Sequence, residues 1–109
     1  MKLTNNFSKS EFDCKSGEEM PLDVLENVKL LAIQLQKIRD YVGKPIRINS
    51  AYRSEAHNEA IGGVKTSQHI LGKAADITID TFTPDEVVSI IENMLTNEML
   101  GGFYIGGLG

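Results

Sequence analysis

The chain has 109 residues, a length that suits one domain and argues against two. Its 41% hydrophobic and 24% charged residues are ordinary for a globular protein, so the composition excludes a disordered chain and a coiled coil. The formal net charge of −4 offers no basic surface for phosphate backbones, so we expect no nucleic-acid partner. No apolar run approaches the roughly 20 residues that cross a bilayer, so we expect no membrane partner.

The first twenty residues form a polar arm. Phe7 and Phe12 are its large apolar residues, and we expect them to anchor the arm on the core. The opening sequence has no apolar segment of the kind found in secretion signals. The single cysteine, Cys14, has no partner for an internal disulfide, and we interpret it as a structural or idle thiol.

The longest helix is predicted to start at Pro21 and to end before Gly43 and Pro45. Its apolar residues recur at steps of three and four, the period of an amphipathic helix. We expect this stripe to lie in the core; it comprises Leu22, Leu25, Val28, Leu31, Ala32, Leu35, Ile38 and Val42.

Two short strands and a short helix are predicted next. Apolar and polar residues alternate over residues 46–50 and again over 74–80, as in half-buried strands. In the second strand the apolar residues face one side, so Asp76 points to the other. Between the strands, Ser54 can cap a short helix through about Ile61.

The last helix has a strong predicted start at Thr83, Pro84 and Glu86, which supply an N-cap, a first-turn proline and a capping-box glutamate. Its buried face is predicted to comprise Val87, Val88, Ile90, Ile91, Met94 and Leu95. Residues 103–105 are predicted to form a third strand. This order of elements favours an α+β fold, a small antiparallel or mixed sheet with helices packed on it, over a doubly wound parallel sheet.

His69 and Asp76 are the pair that indicates chemistry. On a regular helix they would lie roughly 10 Å apart along the axis, whereas two zinc ligands must bring their donor atoms within about 3 to 4 Å. Gly72 allows the backbone to fold back between them, and the following strand projects Asp76 from its polar face. The two side chains can therefore chelate a metal, or they can form a hydrogen bond that only orders the loop.

The stretch from Ser67 to Asp76 resembles the Ser-x-His-x-x-Gly-x-Ala-x-Asp signature of the zinc D-alanyl-D-alanine carboxypeptidase family, peptidoglycan peptidases related to lysostaphin and to the hedgehog domain. Residues 67, 69, 72, 74 and 76 all match. Upstream, residues 48–53 resemble the strand of that family that ends in a Tyr-Arg pair. The likeness is good over about residues 7–80 and loose elsewhere.

The resemblance implies a hedgehog-like fold and a zinc peptidase that hydrolyses amide bonds in peptidoglycan stem peptides, as a D-Ala-D-Ala carboxypeptidase or an endolysin-type endopeptidase. It makes His69 and Asp76 zinc ligands, and it makes Arg53 the catalytic group that hydrogen-bonds the carbonyl oxygen of the scissile amide. Ser67 would line the substrate-binding side. These residue types suit the roles, because imidazole and carboxylate bind zinc and a guanidinium stabilises an oxyanion.

In the family, a third zinc ligand and a general base follow the segment that GGFYIGGLG resembles. We therefore expect residues 1–109 to form a single peptidase-like domain that lacks its C-terminal ligand strand. A non-catalytic cell-wall or protein-binding module with an incomplete metal site is the alternative. Without a secretion signal, the expected route is synthesis in the cytoplasm and action on the cell wall after release, as for a phage lysis enzyme.

Overall fold

A computed structural model describes residues 1–62 and 69–99 and the backbone of residues 104–106. After a 3-10 turn at Lys9–Glu11, the elements are α1 (Leu22–Val42), β1 (Ile46–Ser50), α2 (Glu55–Ala60), β2 (Ala74–Ile79), α3 (Pro84–Thr96) and β3 (Tyr104–Gly106). The predicted order of helices and strands is confirmed. Residues 63–68, which include part of the predicted loop, and Phe103 lie outside the described residues.

The three strands form one mixed sheet in the order β1-β2-β3. β1 and β2 are antiparallel, with Ile46 opposite Ile79 and Ile48 opposite Ile77. β3 runs parallel to β2. The α+β class is therefore confirmed, and β2 is the central strand.

The register of β1 against β2 shifts before the end of β1. Ile48 lies opposite Ile77, but Ser50 lies opposite Asp76, so two steps along β1 correspond to one step along β2. Such a β-bulge inserts one extra residue and turns the following side chains. Here it places Ser50 beside Asp76, while Ala51 enters the core with 1% of its surface exposed.

The core lies between α1, the inner face of the sheet and α3, and the arm closes one side of it. Phe7 and Phe12 are 2% and 0% exposed and pack edge to face with ring centroids 6.3 Å apart, as the anchoring prediction requires. The other large apolar side chains that are fully buried are Leu31, Leu35, Ile38, Ile77, Ile79, Met94, Val28 and Val87.

Helix ends follow the sequence signals in most places. Gly43 adopts a left-handed conformation and its N–H caps α1 at the carbonyl of Arg39. Thr83 and Glu86 form the predicted capping box of α3. Two predicted core positions are wrong: Leu22 is 81% exposed because it is the first residue of α1, and Leu95 is 46% exposed in the last turn of α3. Among the described residues, no helix combines the length and the apolar character that a membrane span needs.

Candidate metal centre

His69 lies at the start of a tight turn that leads into β2. Its carbonyl accepts hydrogen bonds from the backbone N–H of Gly72, at 3.2 Å, and of Arg53, at 3.1 Å. The turn is held on α1 by Asn27, whose side chain donates to the carbonyl of Leu71 at 2.9 Å. The backbone of His69 is therefore fixed both by its own turn and by the segment that carries Arg53.

The ring of His69 is oriented by the carbonyl of Ala51, which lies 2.6 Å from Nδ1. Because a carbonyl oxygen only accepts, Nδ1 carries the proton of this bond, and in the neutral ring Nε2 carries the lone pair. A backbone carbonyl on the outer nitrogen is the arrangement that fixes the tautomer of metal-binding histidines. Nε2 lies 3.4 Å from Oδ1 of Asp76.

Asp76 projects from the polar side of the central strand and presents its two carboxylate oxygens to different partners. Oδ1 lies near His69, and Oδ2 lies 3.2 Å from Nη2 of Arg53. The side chains of His69, Arg53 and Asp76 are only 12%, 16% and 23% exposed, so water screens the charges of Arg53 and Asp76 less than it screens a surface ion pair.

The guanidinium of Arg53 is held by three acceptors. Besides the bond to Asp76, Nε donates to Oγ of Ser50 at 3.3 Å and Nη1 donates to Oδ1 of Asn58 at 3.4 Å. The three acceptors belong to β1, α2 and β2. The structure thus brings Arg53, His69 and Asp76, three of the four predicted site residues, into one cluster.

The geometry of His69 and Asp76 fits zinc. Two ligands bound at about 2.0 to 2.2 Å in tetrahedral geometry lie roughly 3.3 to 3.5 Å apart, and the observed distance from Nε2 to Oδ1 is 3.4 Å. No third His, Cys, Asp or Glu joins them to make a three-residue metal cluster within residues 1–62 and 69–99. The roles of His69, Asp76 and Arg53 stay predictions, and Ser67 lies outside the described residues.

Ser50, Asn58 and Asn27 support the cluster, and sequence reasoning missed all three. Ser50 reaches the cluster because of the β-bulge, and the apolar periodicity of β1 does not predict that bulge. In sequence, Asn27 does not differ from the other polar residues of α1. The residues of α2 show no apolar periodicity, so nothing in the sequence distinguishes Asn58 as the buried residue of that helix.

Cys14 contacts Ser54, the N-cap residue of α2. Its sulfur accepts from the backbone N–H of Ser54 at 3.4 Å and lies 3.1 Å from Oγ of Ser16. Burial raises the pKa of the thiol, but the hydrogen bonds from Ser16 and Ser54 together outweigh it and leave the pKa below its ordinary value of 9.0. Burial also raises the pKa of Tyr52 above 10.0, so this phenol is neutral at physiological pH.

We expect the folded chain to stabilise the Cys14 thiolate. Because the pKa is lower in the folded than in the unfolded state, the resulting stability is present above the unfolded value and is lost as pH falls through the folded value. A titration of thiolate absorbance should give a midpoint below 9.0 in buffer and a higher one in urea. Ser16→Ala should move the folded midpoint upward, and Cys14→Ser should abolish the absorbance step. Equal midpoints in buffer and urea would contradict this assignment.

Comparison with known proteins gives the family. The family model described as Peptidase M15 matches residues 5–106. A zinc D-Ala-D-Ala carboxypeptidase of Streptomyces albus G is 30% identical over 95 residues, which cover 86% of this chain and 37% of that relative. This chain therefore spans little more than a third of the length of that relative. No solved structure matches this chain significantly. On the match to residues 5–106, the chain belongs to the Peptidase M15 family of peptidases.

Proposed function

We propose that this chain contributes His69, Asp76 and Arg53 to the catalytic site of a zinc-dependent peptidase that hydrolyses amide bonds in peptidoglycan stem peptides, next to a D-amino acid. The observation that carries the proposal is the 3.4 Å separation of His69 Nε2 and Asp76 Oδ1, with Arg53 on the second carboxylate oxygen. Membership of the Peptidase M15 family and the similarity to a zinc D-Ala-D-Ala carboxypeptidase support it. In this proposal the third ligand and the general base belong to residues outside those described.

In the proposed site, His69 and Asp76 hold the metal, which supplies Lewis acidity and activates water when bound. The Ala51 carbonyl keeps the His69 ring in the orientation that presents Nε2. Arg53 carries a positive charge in a partly buried position, where a fixed donor stabilises a developing oxyanion more strongly than water does. The Arg53 guanidinium is already immobilised, so little further ordering is needed when the substrate binds.

The natural gene product that contains this chain is expected to take up about one zinc ion and to release D-alanine or a shorter stem peptide from purified peptidoglycan. Metal content by mass spectrometry and product analysis by chromatography measure the two properties. A chelator should abolish hydrolysis, and added zinc should restore it.

A non-catalytic cell-wall-binding module is the second candidate, because the described residues bring only two predicted ligands together. Such a module would bind peptidoglycan in a pull-down assay and release no peptide at any zinc concentration. Hydrolysis that resists the chelator would contradict zinc dependence, and uptake of no metal would contradict the zinc peptidase while leaving the binding module in place.

A further inference from the structure

Asn58 is the residue that α2 buries. The helix has six residues, and Asn58 is 2% exposed while the other five are exposed or half-buried. Burying an amide without hydrogen bonds is unfavourable, and an apolar residue would contribute more to the core. Because α2 buries an amide and no apolar side chain, the helix contributes little to the core. The buried amide contacts a polar group.

Among the described contacts of Asn58, this polar group is the guanidinium of Arg53. Oδ1 of Asn58 accepts from Nη1, while Ser50 and Asp76 accept from Nε and Nη2. Arginine has five N–H donors, so these contacts engage three of them. Nη1 and Nη2 each have one further N–H, which donates to no acceptor among the described residues.

Asn58 fixes the guanidinium without neutralising it. An amide oxygen accepts a hydrogen bond but carries no net charge, whereas a second carboxylate beside Asp76 would offset the positive charge that stabilises an oxyanion. The Ser50 hydroxyl is also neutral. The structure therefore combines one charged acceptor with two neutral ones around Arg53.

We propose that Asn58 is a positioning residue that holds the Arg53 guanidinium in one orientation, with its remaining N–H groups ready for a substrate oxygen. The inference rests on the proposed function for its effect on catalysis, but the immobilisation of Arg53 is a property of the chain alone. Asn58 acts through Arg53 and does not itself contact substrate.

A double-mutant cycle tests the catalytic effect in the natural gene product. Asn58→Leu preserves volume and removes the acceptor, and we expect kcat to fall about 10-fold with KM and zinc affinity changed less than about 2-fold. In an Arg53→Ala background the same substitution should lower kcat no further, because the guanidinium that Asn58 is proposed to orient is gone. Glu59→Ala, an exposed neighbour on α2, is the matched control and should leave kcat unchanged. An equal fall of kcat in both backgrounds would show a general structural role and overturn the proposal.

Side-chain NMR of Arg53 tests the immobilisation without any activity. In the wild-type chain the Arg53 Nε–H should exchange slowly with solvent and rotation about the Nε–Cζ bond should be restricted. Asn58→Leu and Asn58→Ala should both accelerate these motions, and Asn58→Asp, which keeps an acceptor, should restore restriction. Thermal unfolding identifies which variants are folded. Unchanged Arg53 dynamics in a folded acceptor-free variant would overturn the proposal, whereas restricted dynamics in a wild-type protein without hydrolysis would refute the proposed function alone.

Discussion

Replacement of His69 by alanine is expected to reduce zinc uptake from about one ion per chain to none and to abolish hydrolysis. Nε2 of His69 and Oδ1 of Asp76, the two predicted ligand atoms among the described residues, lie 3.4 Å apart. Loss of the imidazole would leave the proposed site one short of the three protein ligands that hold catalytic zinc. Zinc affinity measured by competition with a chromophoric chelator gives the binding, and peptide release from peptidoglycan gives the activity.

His57→Ala is the matched control for this experiment, because His57 is the other histidine of the chain. It lies on α2, where its backbone N–H completes the cap by Ser54, and alanine preserves that bond. We expect His57→Ala to bind zinc with wild-type affinity. Equal zinc affinity in the two variants would remove His69 from the site, and loss of zinc in both would point to a different ligand set. Thermal unfolding of His69→Ala separates a lost ligand from a lost fold, since the ring also bonds the Ala51 carbonyl.

Gly72→Ala is expected to lower the free energy of unfolding by about 2 to 5 kcal/mol. Gly72 has a φ of +71°, and a left-handed conformation costs an L residue about 1 to 2 kcal/mol. A Cβ at this position would also lie 2.8 Å from Val24 Cγ1, 2.9 Å from Val28 Cγ2 and 3.0 Å from the Val24 carbonyl oxygen. Overpacking of this kind costs a further 1 to 3 kcal/mol or moves the backbone. Urea unfolding gives the free energy.

Gly62→Ala separates the cost of the left-handed conformation from the cost of overpacking. Gly62 has a similar φ of +76°, but a Cβ there meets no atom of the described residues within 4 Å, so we expect only the conformational cost of about 1 to 2 kcal/mol. Gly72→Ala should also weaken zinc binding, because pushing the turn away from α1 displaces His69, while Gly62→Ala should not. Equal destabilisation by the two substitutions would show that the turn does not depend on its close approach to α1.

The elements of this fold were predictable because their signals are local. The three- and four-residue steps of α1 and the capping box at Thr83 each arise from side chains a few residues apart. Leu22 and Leu95 were assigned to the core because periodicity identifies a face of a helix but not how far its neighbours extend along it. Both residues lie in terminal turns, beyond the reach of the packed layers.

The approach of His69 to Asp76 was also foreseeable, since one turn and one strand separate them. The hydrogen-bond partners of Arg53 were not foreseeable from the sequence. Its place depends on the register shift between Ile48 and Ser50 and on an amide from α2, and both arise from tertiary packing rather than from sequence spacing. Sequence reasoning thus identified the charged residues of the cluster, while the neutral groups that orient them required the structure.

The central position of β2 has a consequence for how the site opens. β2 pairs with β1 on one side and with β3 on the other, so the backbone at Asp76 can separate only when a sheet edge separates first. His69 lies instead on a turn, and its described hydrogen bonds join it to Gly72, Arg53 and Ala51, while Asn27 ties the turn to α1. The two predicted ligands therefore lie on a turn and on a central strand, which differ in how the backbone can open. If the two residues bind zinc as proposed, the metal would exchange through motion of the histidine turn, and the carboxylate would stay in place.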